Sequence, residues 1–271
     1  MSLAHHALKS LTLSGFGTRQ QDLLFRSTSH RTMPTYVLTG ANRGLGLEFV
    51  RQISSDSANT VIAAVRSLQG ELDDLKQLAS TAAGTVHILE CNTGDLQSIR
   101  AFGDAVKQPL AGSGGGSKQI DYLLNNAGIN ATPEQSSLDM TAESLRNHID
   151  VNVMGPAETV KVLLPYLGQG SVVMNMTSGL GSCGKKLPKC TTYSISKAAV
   201  NMLTVHQSEQ LKDRGIKAIC MDPGWVKTRM GGEGAILEPD VSIGGMLKTL
   251  HGLKDSDTGK FYTYTGDEVP W

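Results

Sequence analysis

The sequence predicts a single doubly wound α/β domain with a mostly parallel sheet of about seven strands. Three observations lead there. Short apolar runs at about 37–39, 60–65, 86–91, 120–124, 172–176, 216–221 and 260–264 alternate with segments of helical character. Strands joined in this way form right-handed crossovers, which place helices on both faces of a parallel sheet. The first run enters a glycine-rich turn that opens a helix. Finally, 271 residues at 39% hydrophobic and 18% charged content suffice to bury one full core.

The first element is the run Val37-Leu38-Thr39, which leads into Gly40-Ala41-Asn42-Arg43-Gly44-Leu45-Gly46. Glycine adopts φ > 0 and lets a phosphate approach the backbone. The helix start that follows offers unpaired N–H groups and a positive dipole end. An ordinary capped turn would use the same glycines, so this signal needs company. Beyond it, Leu45, Phe49, Val50 and Ile53 form one apolar helix face. The strand at 60–65 ends in Arg66, about where NAD enzymes carry an acid for the ribose 2′-hydroxyl. No acid stands there. Two guanidiniums, Arg43 and Arg66, suit a 2′-phosphate instead, which points to NADP(H).

A helix is expected at about 71–79, followed by the strand at 86–91 and then Asn92-Thr93. Residues 112–118 read as a flexible loop, too short for a domain linker. The strand at 120–124 runs into Asn125-Asn126-Ala127-Gly128. A long helical stretch at 142–167, interrupted at Gly155-Pro156, carries Asn152. The apolar strand at 172–176 is followed by Thr177-Ser178-Gly179. Next comes Tyr193-Ser194-Ile195-Ser196-Lys197, which on a helix sets Tyr193 and Lys197 one turn apart on one face. A lysine charge there favours ionisation of a phenol whose usual pKa is about 10, so the phenol can exchange protons with a substrate oxygen. The strand at 216–221 ends in Asp222-Pro223-Gly224-Trp225-Val226-Lys227-Thr228. The glycines within 229–237 suit a mobile lid over a substrate bounded also by Trp225 and residues 179–190. A helix at about 241–250 and the strand at 260–264 complete the domain. Each motif falls at or just past a strand's carboxyl end, where such sheets bind ligands.

The turn with Thr39 before it, the Asn-Asn-Ala-Gly tetrapeptide, Tyr-x-x-x-Lys and Pro-Gly resemble the short-chain dehydrogenase/reductase family over residues 35–271. The resemblance implies a Rossmann-type fold and a catalytic set of Asn152, Ser178, Tyr193 and Lys197. Ser178 lies fifteen residues before Tyr193, a slightly longer loop than in many members. It further implies cofactor contacts from Gly40, Asn42, Arg43, Gly44, Leu45, Gly46, Arg66, Asn92, Thr93, Asn126, Ala127, Gly128, Tyr193, Lys197, Pro223, Gly224, Val226 and Thr228. The family commonly has Asp where Asn92 stands; Asn still donates and accepts hydrogen bonds. Pro-Gly-Trp-Val-Lys-Thr and the Pro270-Trp271 pair are most similar to the C-factor and sniffer branch of NADPH-dependent carbonyl reductases. Hydride exchange between NADP(H) and a small carbonyl or alcohol follows, with Tyr193 as general acid/base. The alternative is a catalytically silent dinucleotide-binding regulatory protein of the same fold. The resemblance also implies a homodimer, with a monomer as the alternative.

A net charge of +0 gives no reason to expect nucleic acid or an anionic membrane as partner. Cys91, Cys183, Cys190 and Cys220 lack metal-ligand spacing; no metal is expected, and reduced thiols in a cytoplasmic setting fit best. Residues 1–33 form an N-terminal extension ahead of the domain at 34–271. With one acid, Asp22, against four basic residues, the extension reads as a dispensable tail or, alternatively, a mitochondrial presequence. Removing residues 1–32 is expected to leave folding and cofactor binding intact.

Overall fold

The computed structural model describes residues 33–112 and 119–271. The extension at 1–32 and the glycine-serine stretch at 113–118 lie outside the described residues. The elements run β1 (Thr35–Thr39), α1 (Gly44–Ile53), β2 (Thr60–Val65), α2 (Asp73–Thr81), β3 (Thr85–Glu90), α3 (Leu96–Ala105) and α4 (Lys107–Gly112). Then follow β4 (Tyr122–Asn125), α5 (Ala142–Ile149), a π-helical turn (Asp150–Met154), α6 (Gly155–Leu163), β5 (Val172–Met176), α7 (Thr191–Leu211), β6 (Lys217–Asp222), α8 (Pro239–His251) and β7 (Phe261–Thr263). The seven strands form one parallel sheet in the order β3-β2-β1-β4-β5-β6-β7.

Strand alternation builds a core on each face of this sheet. Val37, Ile62, Leu123, Val173 and Ala218 point to the side of α3 and α6, against Ile99, Phe102, Val160 and Leu163. Their neighbours Leu38, Val61, Ala63, Leu124, Met174 and Ile219 point the other way, against Phe49, Val50, Leu75, Ile243 and Met246 of α1, α2 and α8. Because β1, β2, β5 and β6 have apolar neighbours on both faces, they read in sequence as largely apolar runs. β3 closes one edge and is less buried, which explains its mixed composition.

The helical stretch at 142–167 departs from expectation. The break lies before Gly155-Pro156, as the π turn Asp150–Met154. Pro156 sits in the first turn of α6, where its missing N–H costs no hydrogen bond. Gly155 serves close packing: a Cβ there would fall 2.7 Å from the Thr93 carbonyl oxygen. Helix α3 was not foreseen, although Asp95 caps it by accepting from the Gln97 N–H at 2.9 Å.

β1 pairs with β2 on one side and β4 on the other, so the strand order reverses between β1 and β4. Thr39, Asn125, Met176 and Asp222 end their strands along one edge of the sheet. That edge carries every motif singled out in the sequence. Among the described residues no helix is long and apolar enough to cross a membrane.

Candidate active site

The glycine turn is held shut from two sides. Gly40 and Gly44 lie at φ 70° and 53°, in the left-handed region that favours glycine. At Gly46 a Cβ would fall 2.0 Å from the Gly40 carbonyl oxygen, so only hydrogen fits. Asn126 Nδ2 donates to the Thr39 carbonyl at 2.8 Å and to the Gly40 carbonyl at 3.3 Å, and the Ala127 N–H donates to Thr39 Oγ1 at 3.1 Å. The Asn-Asn-Ala-Gly segment thus clamps the turn. Arg43 stands at the N-cap of α1 without a side-chain cap, which leaves the first-turn N–H groups facing outward for an anion. Arg43 and Arg66 are both exposed, and neither side chain has an ion pair or hydrogen bond among the described residues. Bare glycine backbone, an uncapped helix start and two uncommitted guanidiniums fit the phosphates of NADP(H).

Across the turn, a Cβ on Gly44 would lie 3.5 Å from Thr228 Cγ2, which brings the Pro-Gly segment against the glycine turn. Gly224 takes φ 79°, and its N–H donates to Asp222 Oδ1 at 3.1 Å. The segment 229–237 folds onto Trp225, whose Nε1–H donates to the Gly231 carbonyl at 2.7 Å. Its base is closed by a bridge between Val226 and Leu237, and by the Lys227–Glu238 ion pair. Arg229 reaches Glu71 at 3.8 Å, on the loop after β2, and Asn42 Nδ2 donates to the Glu71 carbonyl at 3.2 Å. Asn92 Oδ1 accepts from the Gly94 N–H at 3.2 Å, and Thr93 is buried beside Gly155.

Four side chains meet at the ends of β4 and β5. The π turn presents Asn152, 1% exposed, to the segment after β4: Oδ1 accepts from the Ile129 N–H at 2.8 Å and Nδ2 donates to the Ile129 carbonyl at 2.9 Å. Nδ2 also donates to Ser196 Oγ at 2.9 Å. A π turn widens the helix locally and recurs at functional sites. Gly128 keeps the centre open, since a Cβ there would sit 3.2 Å from Asn152 Oδ1 and 3.4 Å from Lys197 Nζ. Lys197 is buried, with Nζ donating to the Met176 carbonyl at 2.8 Å and 5.5 Å from the Tyr193 ring centre. Ser178 follows β5, its Oγ accepting from the Leu180 N–H at 3.2 Å and hydrogen-bonding Tyr193.

The electrostatics differ from the expectation that Lys197 pulls the Tyr193 phenol down. Burial pushes Tyr193 above the ordinary phenol range, the Asp222 charge adds to this, and the Ser178 hydrogen bond opposes it. Burial also drives Lys197 down to about 8. Its ammonium is engaged with a backbone carbonyl, and the site as folded favours the neutral phenol. Asp222 was quoted in the sequence only as part of its motif, yet its carboxylate lies 4.0 Å from Lys185 Nζ and touches Gly179. A carboxylate directly before Pro-Gly was the available signal. His148 was also passed over. Fully buried, it accepts from the Ala131 N–H through Nε2 at 3.1 Å and contacts the Ser144 carbonyl through Nδ1 at 2.7 Å. Both bonds together need the neutral Nδ1–H tautomer, which holds the segment beyond Ile129 in place.

The sequence profile of the short chain dehydrogenase family matches residues 34–235. The C-signal protein of Myxococcus xanthus is 35% identical over 155 residues, covering 56% of this chain and 93% of that protein. A carbonyl reductase from chicken fatty liver, solved with NADPH bound, superposes with TM-score 0.80 at 31% identity, over 89% of this chain and 100% of that one. The carbonyl reductase Sniffer of D. melanogaster gives TM-score 0.80 at 26% identity, with the same coverage. With the profile spanning most of the chain and the fold shared over these lengths, this chain belongs to the short chain dehydrogenase family.

Proposed function

We propose that the protein is an NADP(H)-dependent carbonyl reductase that acts on small carbonyl or alcohol substrates. The observation that carries this reading is the convergence of Asn152, Lys197 and Gly128 beside the Ser178–Tyr193 pair, next to a glycine turn flanked by two uncommitted arginines. The likeness to an NADPH-bound carbonyl reductase supports the choice of cofactor. When bound, NADPH supplies the hydride.

Every other task falls to the chain. Arg43 and Arg66 hold the 2′-phosphate, the open first turn of α1 holds the pyrophosphate, and the Pro223–Thr228 segment lies along the far side of the cleft. Ser178 Oγ hydrogen-bonds the substrate oxygen and stabilises the negative charge developing on it. Tyr193, kept neutral by burial, donates its proton to that oxygen. Lys197, brought down to about 8, gives a proton to the phenolate and is reprotonated from solvent through a water anchored at the Asn152–Ile129 contact. In the oxidative direction the same groups run in reverse.

A homodimer is the assembly we favour, supported by Ile195 and Met202, which lie seven residues apart on α7 and are both exposed. A cytoplasmic setting accords with the four free thiols. The function is tested by following NADPH oxidation against a panel of aldehydes, ketones and quinones. Reduction of at least one is expected. Tight NADPH binding with no turnover on any of them would instead establish the silent regulatory alternative.

A further inference from the structure

The loop between Ser178 and α7 is exposed from 183 to 189, and something must hold it over the site. Its inner end is fixed on α7. Gly181 lies flat on that helix, where a Cβ would fall 2.7 Å from the Lys197 carbonyl carbon, and Asn201 Nδ2 donates to the Gly181 carbonyl at 3.1 Å. Its outer part is held by residues 269–271, remote in sequence. Ser182 Oγ donates to the Pro270 carbonyl at 2.5 Å and accepts from the Lys185 N–H at 3.1 Å. The Gly184 N–H donates to the Trp271 carbonyl oxygen at 2.9 Å. A Cβ on Gly184 would sit 3.2 Å from Pro270 Cβ and 3.2 Å from that oxygen, so the two strands of chain are in close contact.

Residues 269–271 are themselves secured to the sheet. The Val269 N–H donates to the Phe261 carbonyl of β7 at 2.7 Å, Val269 is buried beside Phe261, and the Trp271 ring lies 5.8 Å from the Phe261 ring. The loop's free part bears Lys185, whose ammonium is 4.0 Å from Asp222, and Lys189, whose ammonium lies 6.0 Å from the Trp225 ring centre. Displacing the loop would therefore move the groups that face Asp222 and Trp225.

We propose that Pro270 and Trp271 are positioning residues: they brace the 182–189 loop against β7 and thereby set which carbonyl substrates the site accepts. The chemical class favoured by the braced loop is a bulky aromatic carbonyl, because the ring of Trp225 and the loop held near it make a wall of fixed position that a small aldehyde does not need. The consequence for substrates rests on the reductase reading; the brace itself does not.

The test uses the full-length, NADPH-loaded protein and the variants Trp271→Ala, Ser182→Ala and Gly184→Ala. Lys185, Lys186 and Lys189 make the loop a tryptic target, so cleavage there reports its anchoring directly. Each variant should be cut about fivefold faster or more, the effect of losing roughly one net hydrogen bond or its packing. In Trp271→Ala, KM for a bulky aromatic ketone should rise several-fold while KM for a small aldehyde, kcat and NADPH affinity stay within about twofold. Unchanged cleavage in all three variants would overturn the brace. Faster cleavage with an unchanged ratio of the two KM values, or a lowered melting temperature alone, would overturn its role in selectivity. Should the wild type bind NADPH yet reduce no carbonyl, the reductase reading fails, and the cleavage rates still decide whether the brace exists.

Discussion

The Lys197 ammonium donates to the Met176 carbonyl at the end of β5, 2.8 Å away, and this bond joins α7 to the sheet at the point where the candidate catalytic groups converge. A buried cation held by one carbonyl is expensive to keep charged, which is why it is pushed down to about 8 from 10.5. Between those two values the unfolded chain holds a proton that the folded chain has lost, so this group makes stability rise with pH across that window. Below about 8 the cost of burying the charge is fully present. Lys197→Met should therefore gain stability relative to wild type below pH 8, by order 1 kcal/mol or more, with the gain fading toward 10.5. Urea unfolding of both proteins across this range measures it. A stability difference that does not vary with pH would show that Lys197 is not strained by burial.

Tyr193→Phe removes the phenolic proton and nothing else of size. If Tyr193 is the acid, kcat should fall by about 10²–10⁴, the typical worth of general acid–base help. NADPH affinity, measured by fluorescence titration, should stay within about twofold, since a lost transition-state contact lowers kcat without altering ground-state binding. Reduction within a few-fold of wild type would assign the acid to another group. Lys197→Met, by contrast, should weaken both turnover and NADPH binding.

Much of this geometry was open to sequence reading, for a physical reason. Strands such as 60–65 and 172–176 are buried on both faces, so they are mostly apolar, the buried Asn175 being tolerated through hydrogen bonds to Asn125, Thr204 and Gln207, and the motifs sit where those runs end. Helix α3 is faint in sequence because only Ile99 and Phe102 mark an apolar face, although Gly94 and the cap Asp95 stand directly before it. The π turn at Asp150–Met154 has no compositional signature at all. Pro156 reads in sequence as a break because proline usually ends helices, whereas here it begins one. The sign of the Tyr193 shift was out of reach, since it depends on how deeply α7 is buried and on Asp222 arriving from β6. Likewise, the contact of Ser182 with Pro270 joins residues 88 apart in the chain, and nothing local announces it.

Arg43 and Arg66 provide a direct test of cofactor choice. Both guanidiniums are exposed and uncommitted, so removing either leaves no buried charge behind. Each substitution to alanine should raise the Kd for NADPH by about tenfold or more, in line with a charge-assisted hydrogen bond to phosphate. The Kd for NADH, which lacks the 2′-phosphate, should hardly move. Isothermal titration with both cofactors separates the outcomes, and an equal loss for NADH and NADPH would place these arginines elsewhere than at the 2′-phosphate.

Asp222→Asn probes the groups that keep Tyr193 neutral. The asparagine oxygen can still accept the Gly224 N–H bond that Oδ1 receives at 3.1 Å, so the turn before Pro223 should survive. What disappears is a negative charge that opposes ionisation of Tyr193. The sign follows directly: without Asp222 the phenolate costs less, the Tyr193 pKa falls, and the protonated acid is lost at a lower pH. The alkaline limb of kcat for carbonyl reduction should therefore move to lower pH in Asp222→Asn, while alcohol oxidation, which needs the phenolate, should gain rate at a given pH. Paired pH profiles in the two directions test both halves. Identical limbs in wild type and variant would mean that Asp222 is electrostatically remote from the acid, and a limb displaced to higher pH would reverse its role.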